Sequence, residues 1–172
     1  MKCSAGTYSN PGSNKCTQCP AGTYTSLAGS SNCNKCLEGT YSYAGSTKCT
    51  QCPAGTFTSL AGSSNCNKCW AGSYSYAGST RCTACPAGTY SSLTGSSICN
   101  KCPAGTYSVC DGSTKCTQCP AGTYTSSIGS SYCNQCSPDY YSLLGASMCT
   151  KCPSGYYSSY GASKCIKCKA GQ

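Results

Sequence analysis

Residues 85–102 read CPAGTYSSLTGSSICNKC, and variants of this stretch recur along the whole chain. Ten Cys-x-x-Cys motifs follow one another at intervals of 16 or 17 residues. Each motif is separated from the next by a nearly constant segment, which has one Gly near its start and a second Gly shortly before the next cysteine. Because repetition at a fixed period is typical of repeat architectures, the stretch predicts a tandem array of small units.

The fold class follows from the residues inside each repeat. Gly or Pro arrives every few residues and no 3.6-residue apolar period appears, so we expect almost no helix. We predict a small disulfide-rich tandem repeat, an elongated rod or solenoid of about ten 16–17-residue units with short β-strands and turns. One continuous array is expected over residues 1–172, with a truncated unit at Cys168 and whole units starting near Cys3, Cys19, Cys36, Cys52, Cys69, Cys85, Cys102, Cys119, Cys136 and Cys152.

Cysteine usage indicates where the protein works. The chain has 22 Cys in 172 residues but very few Leu, Ile, Val and Phe, so an aliphatic core cannot offset chain entropy. Disulfides can offset this entropy, and they persist outside the reducing cytosol. We therefore expect an extracellular or cell-surface protein. No apolar segment resembles a secretory signal or a membrane span, which is typical of a mature or excised piece of a secreted chain.

The symmetry of the repeats limits the disulfide pairing without settling it. Segments before and after each motif look alike, which favours bonds between the second Cys of one motif and the first Cys of the next. Crossed pairing, such as Cys16–Cys33 with Cys19–Cys36, stays open. Cys110 and Cys168 are then left as unpaired or intermolecular candidates. The favoured set is Cys3–Cys16, Cys19–Cys33, Cys36–Cys49, Cys52–Cys66, Cys69–Cys82, Cys85–Cys99, Cys102–Cys116, Cys119–Cys133, Cys136–Cys149 and Cys152–Cys165.

An aromatic residue lies five positions after the cysteine that opens each unit. We call this set the aromatic ladder: Tyr8, Tyr24, Tyr41, Phe57, Tyr74, Tyr90, Tyr107, Tyr124, Tyr141 and Tyr157. A ring in every unit favours a structural role, packed on disulfides and Gly backbone. A platform for stacking sugars is the functional alternative.

Charge and hydroxyl content point to possible partners. The chain has 12 Lys and Arg against 3 acidic residues, and eleven of the twelve cations directly precede a Cys. In a regular rod these cations would form one stripe, which either keeps the rod solvated and apart from its neighbours or docks on anionic polysaccharide or a neighbouring filament. Outside the cell we expect anionic polysaccharide rather than nucleic acid as the partner. The many Ser and Thr residues are either carriers of covalent O-glycans or a plain polar surface.

Catalysis lacks the residues it needs. The chain has no His, and its acids, Glu38, Asp111 and Asp139, are far apart in sequence. Without a His or a carboxylate pair we predict no catalytic site, no cofactor and no metal. Zinc held by four cysteines is the strongest rival to disulfides, and redox chemistry at the Cys-x-x-Cys motifs is a weaker one.

The run CPAGTY at Cys85–Tyr90, with Gly-Ser and Cys-x-x-Cys downstream, resembles the ephrin-receptor-like cysteine-rich repeat, a relative of the tumour-necrosis-factor-receptor modules. The resemblance covers the whole chain, and the short Ser/Thr-rich units look most like arrays in ciliate and other protist surface proteins. It implies a surface coat. The sequence departs from the pattern after Cys36, Cys69 and Cys136.

The function expected from these features is structural and non-enzymatic. We predict a rod protomer of an extracellular filament, appendage or surface coat, and a ligand-binding or adhesive receptor-like ectodomain as the alternative. Because the chain begins and stops in the middle of a repeat, we expect linear self-association in which protomers abut head to tail.

Overall fold

The computed structural model describes residues 2–169, which form twenty two-residue β-strands and no helix. The strands are β1 Thr7–Tyr8, β2 Thr17–Gln18, β3 Thr23–Tyr24, β4 Asn34–Lys35, β5 Thr40–Tyr41, β6 Thr50–Gln51, β7 Thr56–Phe57, β8 Asn67–Lys68, β9 Ser73–Tyr74, β10 Thr83–Ala84, β11 Thr89–Tyr90, β12 Asn100–Lys101, β13 Thr106–Tyr107, β14 Thr117–Gln118, β15 Thr123–Tyr124, β16 Asn134–Gln135, β17 Tyr140–Tyr141, β18 Thr150–Lys151, β19 Tyr156–Tyr157 and β20 Ile166–Lys167. We number the repeats 1 to 10 from Cys3. The predicted fold class of repeated disulfide-bonded units with short strands is confirmed, and the rod shape stays a prediction.

Each repeat is a small hairpin that begins with a tight turn. In repeat 6 the amide of Thr89 donates to the carbonyl of Pro86 (3.0 Å). Gly88, the third residue of this turn, has φ of 82°. A type II turn needs this positive φ at its third position, and Gly adopts it without steric cost. The sequence Pro-Ala-Gly-Thr therefore reverses the chain and starts the first strand.

The strands pair two by two, β1 with β2 through β19 with β20, into ten two-stranded sheets. In repeat 6 the pairing is antiparallel, with Thr89 opposite Lys101 and Tyr90 opposite Asn100. The second strand of each hairpin is thus the pair of residues between the two cysteines of a Cys-x-x-Cys motif. The hairpin aligns the ladder aromatic of one repeat with the residues that precede the next repeat.

The chain divides into two compact units. The first comprises Met1–Trp70, Tyr74–Thr83 and Thr94–Ile98, and the second comprises Ala71–Ser73, Ala84–Leu93 and Cys99–Gln172. Both units are built from the same repeat and are held by the same kinds of contact, described below within each unit. The continuous array expected from the sequence remains a prediction.

The buried core is made of sulfur and hydroxyl groups. The cysteine that opens each repeat is buried in all ten repeats, and in repeats 2 to 9 it is 0% exposed. The other buried side chains are Ser and Thr, such as Ser42 at 2% exposed, whose hydroxyl donates to the carbonyl of Thr23 (2.9 Å). The aliphatic side chains are mostly exposed, as with Leu27 and Leu60, both 71% exposed. Disulfides therefore take the place that an aliphatic core has in a larger domain.

Consecutive repeats are joined by a recurring set of backbone hydrogen bonds. In the first unit the amide of Gly22 donates to the carbonyl of Ser42 (2.8 Å), and the amide of Ser42 donates to that of Ser63 (3.3 Å). The amide of Gly62 donates to the carbonyl of Cys36 (2.8 Å). Each bond joins a repeat to the next repeat, so the backbone polar groups at the turns are satisfied by the neighbouring unit.

The same pattern holds in the second unit. The amide of Gly105 donates to the carbonyl of Thr125 (2.8 Å), and the amide of Gly145 donates to that of Cys119 (2.8 Å). A repeat also touches the repeat after next. A Cβ atom placed on Gly105 would overlap the carbonyl oxygen of Gly145, two repeats further on. The array is therefore packed through first and second neighbours.

Candidate functional site

The ten disulfides of the described residues have nearest-neighbour pairing, from Cys3–Cys16 to Cys152–Cys165. Their Cα–Cα distances are 5.6 to 5.8 Å, well within the reach of a disulfide. Each bond closes a loop over one hairpin. These twenty cysteines carry no free thiolate, and residues 2–169 contain no cluster of three or more Cys, His, Asp or Glu able to hold a metal.

Two cysteines lie outside the disulfides of the described residues. Cys110 is exposed and Cys168 is half-buried. Cys110 takes the loop position that Leu27 has in repeat 2, since its carbonyl accepts a bond from Ser113 Oγ (2.7 Å) as that of Leu27 does from Ser30 Oγ (2.9 Å). The thiol thus lies on the tip of a surface turn.

Each member of the aromatic ladder up to Tyr141 is half-buried, and Tyr157 is exposed. Where rings touch, a ladder ring meets an exposed aromatic residue edge-on. The ring centroids of Tyr41 and Tyr43 are 5.5 Å apart, and those of Phe57 and Trp70 are 6.5 Å apart. A hydrogen bond that the Tyr41 hydroxyl donates to Tyr43, together with repulsion between the two phenolates, raises the pKa of Tyr41. The ladder rings are therefore accessible on one side.

The exposed side of the ladder lines a series of open clefts, each between the ring of one repeat and the hairpin of the next. The cleft at Tyr24 has a volume of about 260 Å³. Clefts of about 280, 230 and 290 Å³ lie at Tyr8, Tyr41 and Tyr124. The Tyr24 cleft is lined by Tyr24, Lys35, Leu37, Thr40, Lys48 and Cys49. Repetition of the cleft follows from repetition of the hairpin.

The clefts differ in charge. The Tyr24 cleft contains two cations, Lys35 and Lys48, whereas the clefts at Tyr8 and Tyr41 have Asn32 and Asn65 in the place of Lys48. Lys35 precedes the cysteine that opens the next repeat, and Lys48 precedes the cysteine that closes its loop. The chain has nine more cations than acids, so most of these charges have no acidic partner within the chain.

Sequence reasoning missed these clefts, although it identified both the ladder and the lysines. The cations that precede a cysteine were treated as one set, although they occupy two different positions of the repeat. The signal was present in the duplication of residues 19–51 as 52–84, which match at 27 of 33 positions and keep both cations. The two cation positions could be recognised as one cleft only after the disulfide and the hairpin had brought them together.

Asp111 is a second feature that the sequence did not reveal. Its carboxylate oxygen Oδ1 accepts a hydrogen bond from the amide of Ala87 (2.9 Å) in the preceding repeat. Asp111 therefore ties one repeat to the next, and it lies beside the exposed Cys110.

The geometry defines an extracellular type of domain, in which small disulfide-bonded hairpins stack through their backbones. Four segments, residues 6–41, 39–71, 72–115 and 105–142, match the family model described as tyrosine-protein kinase ephrin type A/B receptor-like. The matches cover most of the chain, which belongs to this family of ephrin-receptor-like cysteine-rich repeats. The match concerns the cysteine-rich repeat, a non-catalytic ectodomain type. The comparison with curated proteins gave no match.

Family membership and ten disulfides fit an extracellular location. Within residues 2–169, no helix has the length and apolar character needed to cross a bilayer.

Proposed function

We propose that the chain is a non-enzymatic extracellular structural protein, a protomer of a filament, appendage or surface coat. The family supports this proposal, since its repeats are ectodomain modules without catalytic groups. The composition supports it too, because a chain without His and with three scattered acids offers no general acid–base pair.

The observation that carries the proposal is the hydrogen bonding between repeats. Each repeat donates hydrogen bonds to the repeat that follows it, as the Gly22 amide does. It also accepts hydrogen bonds from the repeat that follows it, as the Cys36 carbonyl does. The two sides of a repeat are therefore different and complementary. A contact of this kind is heterologous, and it extends into a line when the rotation between copies does not close a ring. The proposed assembly is the line.

The expected result is linear assembly of the oxidised chain. Light scattering over a concentration series should show mass per particle rising with concentration, and negative-stain images should show particles that lengthen at constant width. Reduced and alkylated chain is the control, because it lacks the folded repeat and should not lengthen. Oxidised chain that stays a single monomeric species at concentrations where its source forms coats or fibres would contradict the proposal.

Lateral cross-links between such filaments would use Cys110, whose thiol lies on an exposed turn. Two Cys110 thiols form one disulfide by losing two protons and two electrons, which a small-molecule disulfide accepts as it is reduced to two thiols. In the assembly experiment, Cys110→Ser should remove reducible bundles of filaments but leave their lengthening unchanged. Cys168→Ser is the matched control and should leave the bundles intact.

Covalent O-glycans on exposed Ser and Thr are part of the proposed surface role, since secreted Ser/Thr-rich repeats commonly carry them. The polypeptide has a mass of 17.5 kDa. We expect native material to exceed this mass by whole hexose or hexosamine units. A native mass equal to that of the oxidised polypeptide would exclude the modification.

A ligand-binding or adhesive receptor-like ectodomain is the second candidate, and the open clefts on the aromatic ladder favour it. The two candidates differ in what they require. A receptor-like array needs one repeat that binds a partner far better than the others, whereas a structural array uses its repeats alike. Deleting repeats in pairs and measuring cell-surface binding distinguishes these cases.

A further inference from the structure

The cations of the clefts occur in pairs. Nine positions along the chain are equivalent to the Tyr24 cleft, and each offers two places for a cation, those of Lys35 and Lys48. Four of the nine have both places filled and five have neither filled. The filled pairs are Lys35 with Lys48, Lys68 with Arg81, Lys101 with Lys115, and Lys151 with Lys164.

This pairing is not confined to the two-repeat period. The first three pairs recur every second repeat, as expected if a two-repeat unit was copied. The fourth pair, Lys151 with Lys164, is out of that phase, and yet both cations have moved together. Cations retained only for solubility would be expected to separate when the phase changes. At these nine positions the two places are therefore filled together or not at all.

The structure holds the first cation of three of the four pairs in place, those that begin with Lys35, Lys68 and Lys101. Lys35 lies opposite Thr23 in the hairpin, and its Cδ atom lies 3.5 Å from where a Cβ on Gly62 would be. Lys68 has the same relation to Gly95. The aliphatic stem thus packs along the Gly turn and leaves the ammonium at the cleft.

The same arrangement recurs in the second unit, where Lys101 lies opposite Thr89 and its Cδ atom lies 3.5 Å from a Cβ position on Gly129. In the Tyr24 cleft the second cation, Lys48, completes the cleft from the loop side. This cleft combines a half-buried aromatic ring, the exposed side chain of Leu37 and two positive charges, and the repeat predicts the same combination at the other three pairs.

This combination fits an acidic sugar. The face of an aromatic ring is an apolar platform for the C–H face of a pyranose, and two cations can pair with a carboxylate or a sulfate on that ring. We propose that the four clefts with paired cations bind an acidic polysaccharide, one charged sugar to a cleft. The proposal uses the extracellular placement of the proposed function, but it does not need the chain to assemble.

Four clefts on one chain make the binding multivalent. A polymer that occupies several clefts gains avidity, because every contact after the first is intramolecular. A single charged sugar fills only one cleft and should bind far more weakly. Charge–charge attraction in exposed clefts is also screened by salt, so affinity should fall as ionic strength rises.

The test compares two variants with the same net charge. The first, Lys48→Gln/Arg81→Gln/Lys115→Gln/Lys164→Gln, removes one cation from every pair. The second, Lys2→Gln/Lys15→Gln/Lys167→Gln/Lys169→Gln, removes four cations that lie in none of the four clefts. All eight side chains are exposed, so both variants should fold, and circular dichroism checks this.

The probes are polygalacturonate for carboxylate, dextran sulfate for sulfate and unmodified dextran as the neutral control. Binding is measured by calorimetry on oxidised chain at a concentration where light scattering shows monomers. We expect the unmodified chain to bind at least one acidic polymer and not dextran. The first variant should bind that polymer at least ten times more weakly, and the second should stay within about threefold of the unmodified chain.

Three outcomes would overturn the proposal. Equal weakening of the two variants would mean that total charge, and not the paired clefts, attracts the polymer. Equal binding of dextran would mean that the charged group is not recognised. Binding of double-stranded DNA as tight as that of the acidic polymers, lost in the same variant, would make the clefts general polyanion sites. A failure of assembly alone leaves this result unaffected, since binding is measured on monomers.

Discussion

Replacing Gly55 with alanine is expected to destabilise the array by about 3 kcal/mol or more. The residue has φ of 84°, which costs an L-residue about 1–2 kcal/mol. The new Cβ would also overlap the carbonyl oxygen of Gly95, two repeats away. That carbonyl cannot retreat freely, because the Gly95 amide donates to Cys69 (2.7 Å) and the Gly55 amide to Ser75 (2.8 Å). Each bond that breaks costs about 1 kcal/mol.

The matched control is Gly155→Ala. Gly155 has φ of 80°, so it carries the same conformational cost, but no described atom lies within 4 Å of the place where its Cβ would be. The expected loss is about 1–2 kcal/mol. Denaturant melts of the two oxidised variants measure the difference. Equal destabilisation would show that conformation alone explains the Gly at this position, and that packing between a repeat and the repeat after next contributes nothing.

Reduction of the disulfides is expected to unfold the chain completely. Each bond closes a loop of 13 or 14 residues, as in Cys136–Cys149 and Cys119–Cys133, and such a loop contributes about 3 kcal/mol. Ten such contributions exceed the roughly 5–15 kcal/mol by which ordinary domains are stable. The buried side chains that remain are Ser and Thr, which provide little apolar area to replace them.

The measurement is the amide proton dispersion in NMR spectra of oxidised chain and of chain reduced and alkylated. We expect the dispersion to collapse after reduction. Alkylation without reductant is the internal control, since it should modify only Cys110 and Cys168 and leave the spectrum dispersed. A reduced chain that keeps a dispersed spectrum would show that the backbone ladder is stable without its disulfides.

The repeat, its boundaries and the fold class could be predicted because they depend on local spacing. The likeness of the segments on either side of each motif also favoured the pairing now seen in Cys36–Cys49 and Cys52–Cys66. Segments of like sequence are expected to form like loops, each closed by a disulfide. Crossed pairing would instead have made every second segment a linker between loops. Fixed Gly positions indicated turns, as at Gly88, where the positive φ is needed.

Contacts between repeats could not be predicted, because no sequence spacing reports them. The approach of Gly55 to Gly95 joins residues two repeats apart, and the Ser42 hydroxyl reaches Thr23 across a repeat boundary. Both depend on how one hairpin stacks on the next. The paired cations were missed for the same reason, since Lys35 and Lys48 share a cleft only after the hairpin and the disulfide have formed.

The central claim is that nearest-neighbour disulfides in an oxidising compartment define every repeat. Disulfide mapping of native material, with thiols blocked before denaturation, tests it most directly. Trypsin cleaves after the lysines that flank residues 36–48, and this peptide contains a single cysteine, Cys36. The peptide therefore reports on the pairing by the partner to which it stays attached.

We expect residues 36–48 to remain attached to residues 49–68 through Cys36–Cys49, with equivalent products along the chain and only Cys110 and Cys168 labelled. Attachment to residues 16–35, through a bond from Cys19 to Cys36, would mean crossed pairing. Labelling of four or more thiols in native material would contradict the claim that disulfides and an extracellular setting hold the array together.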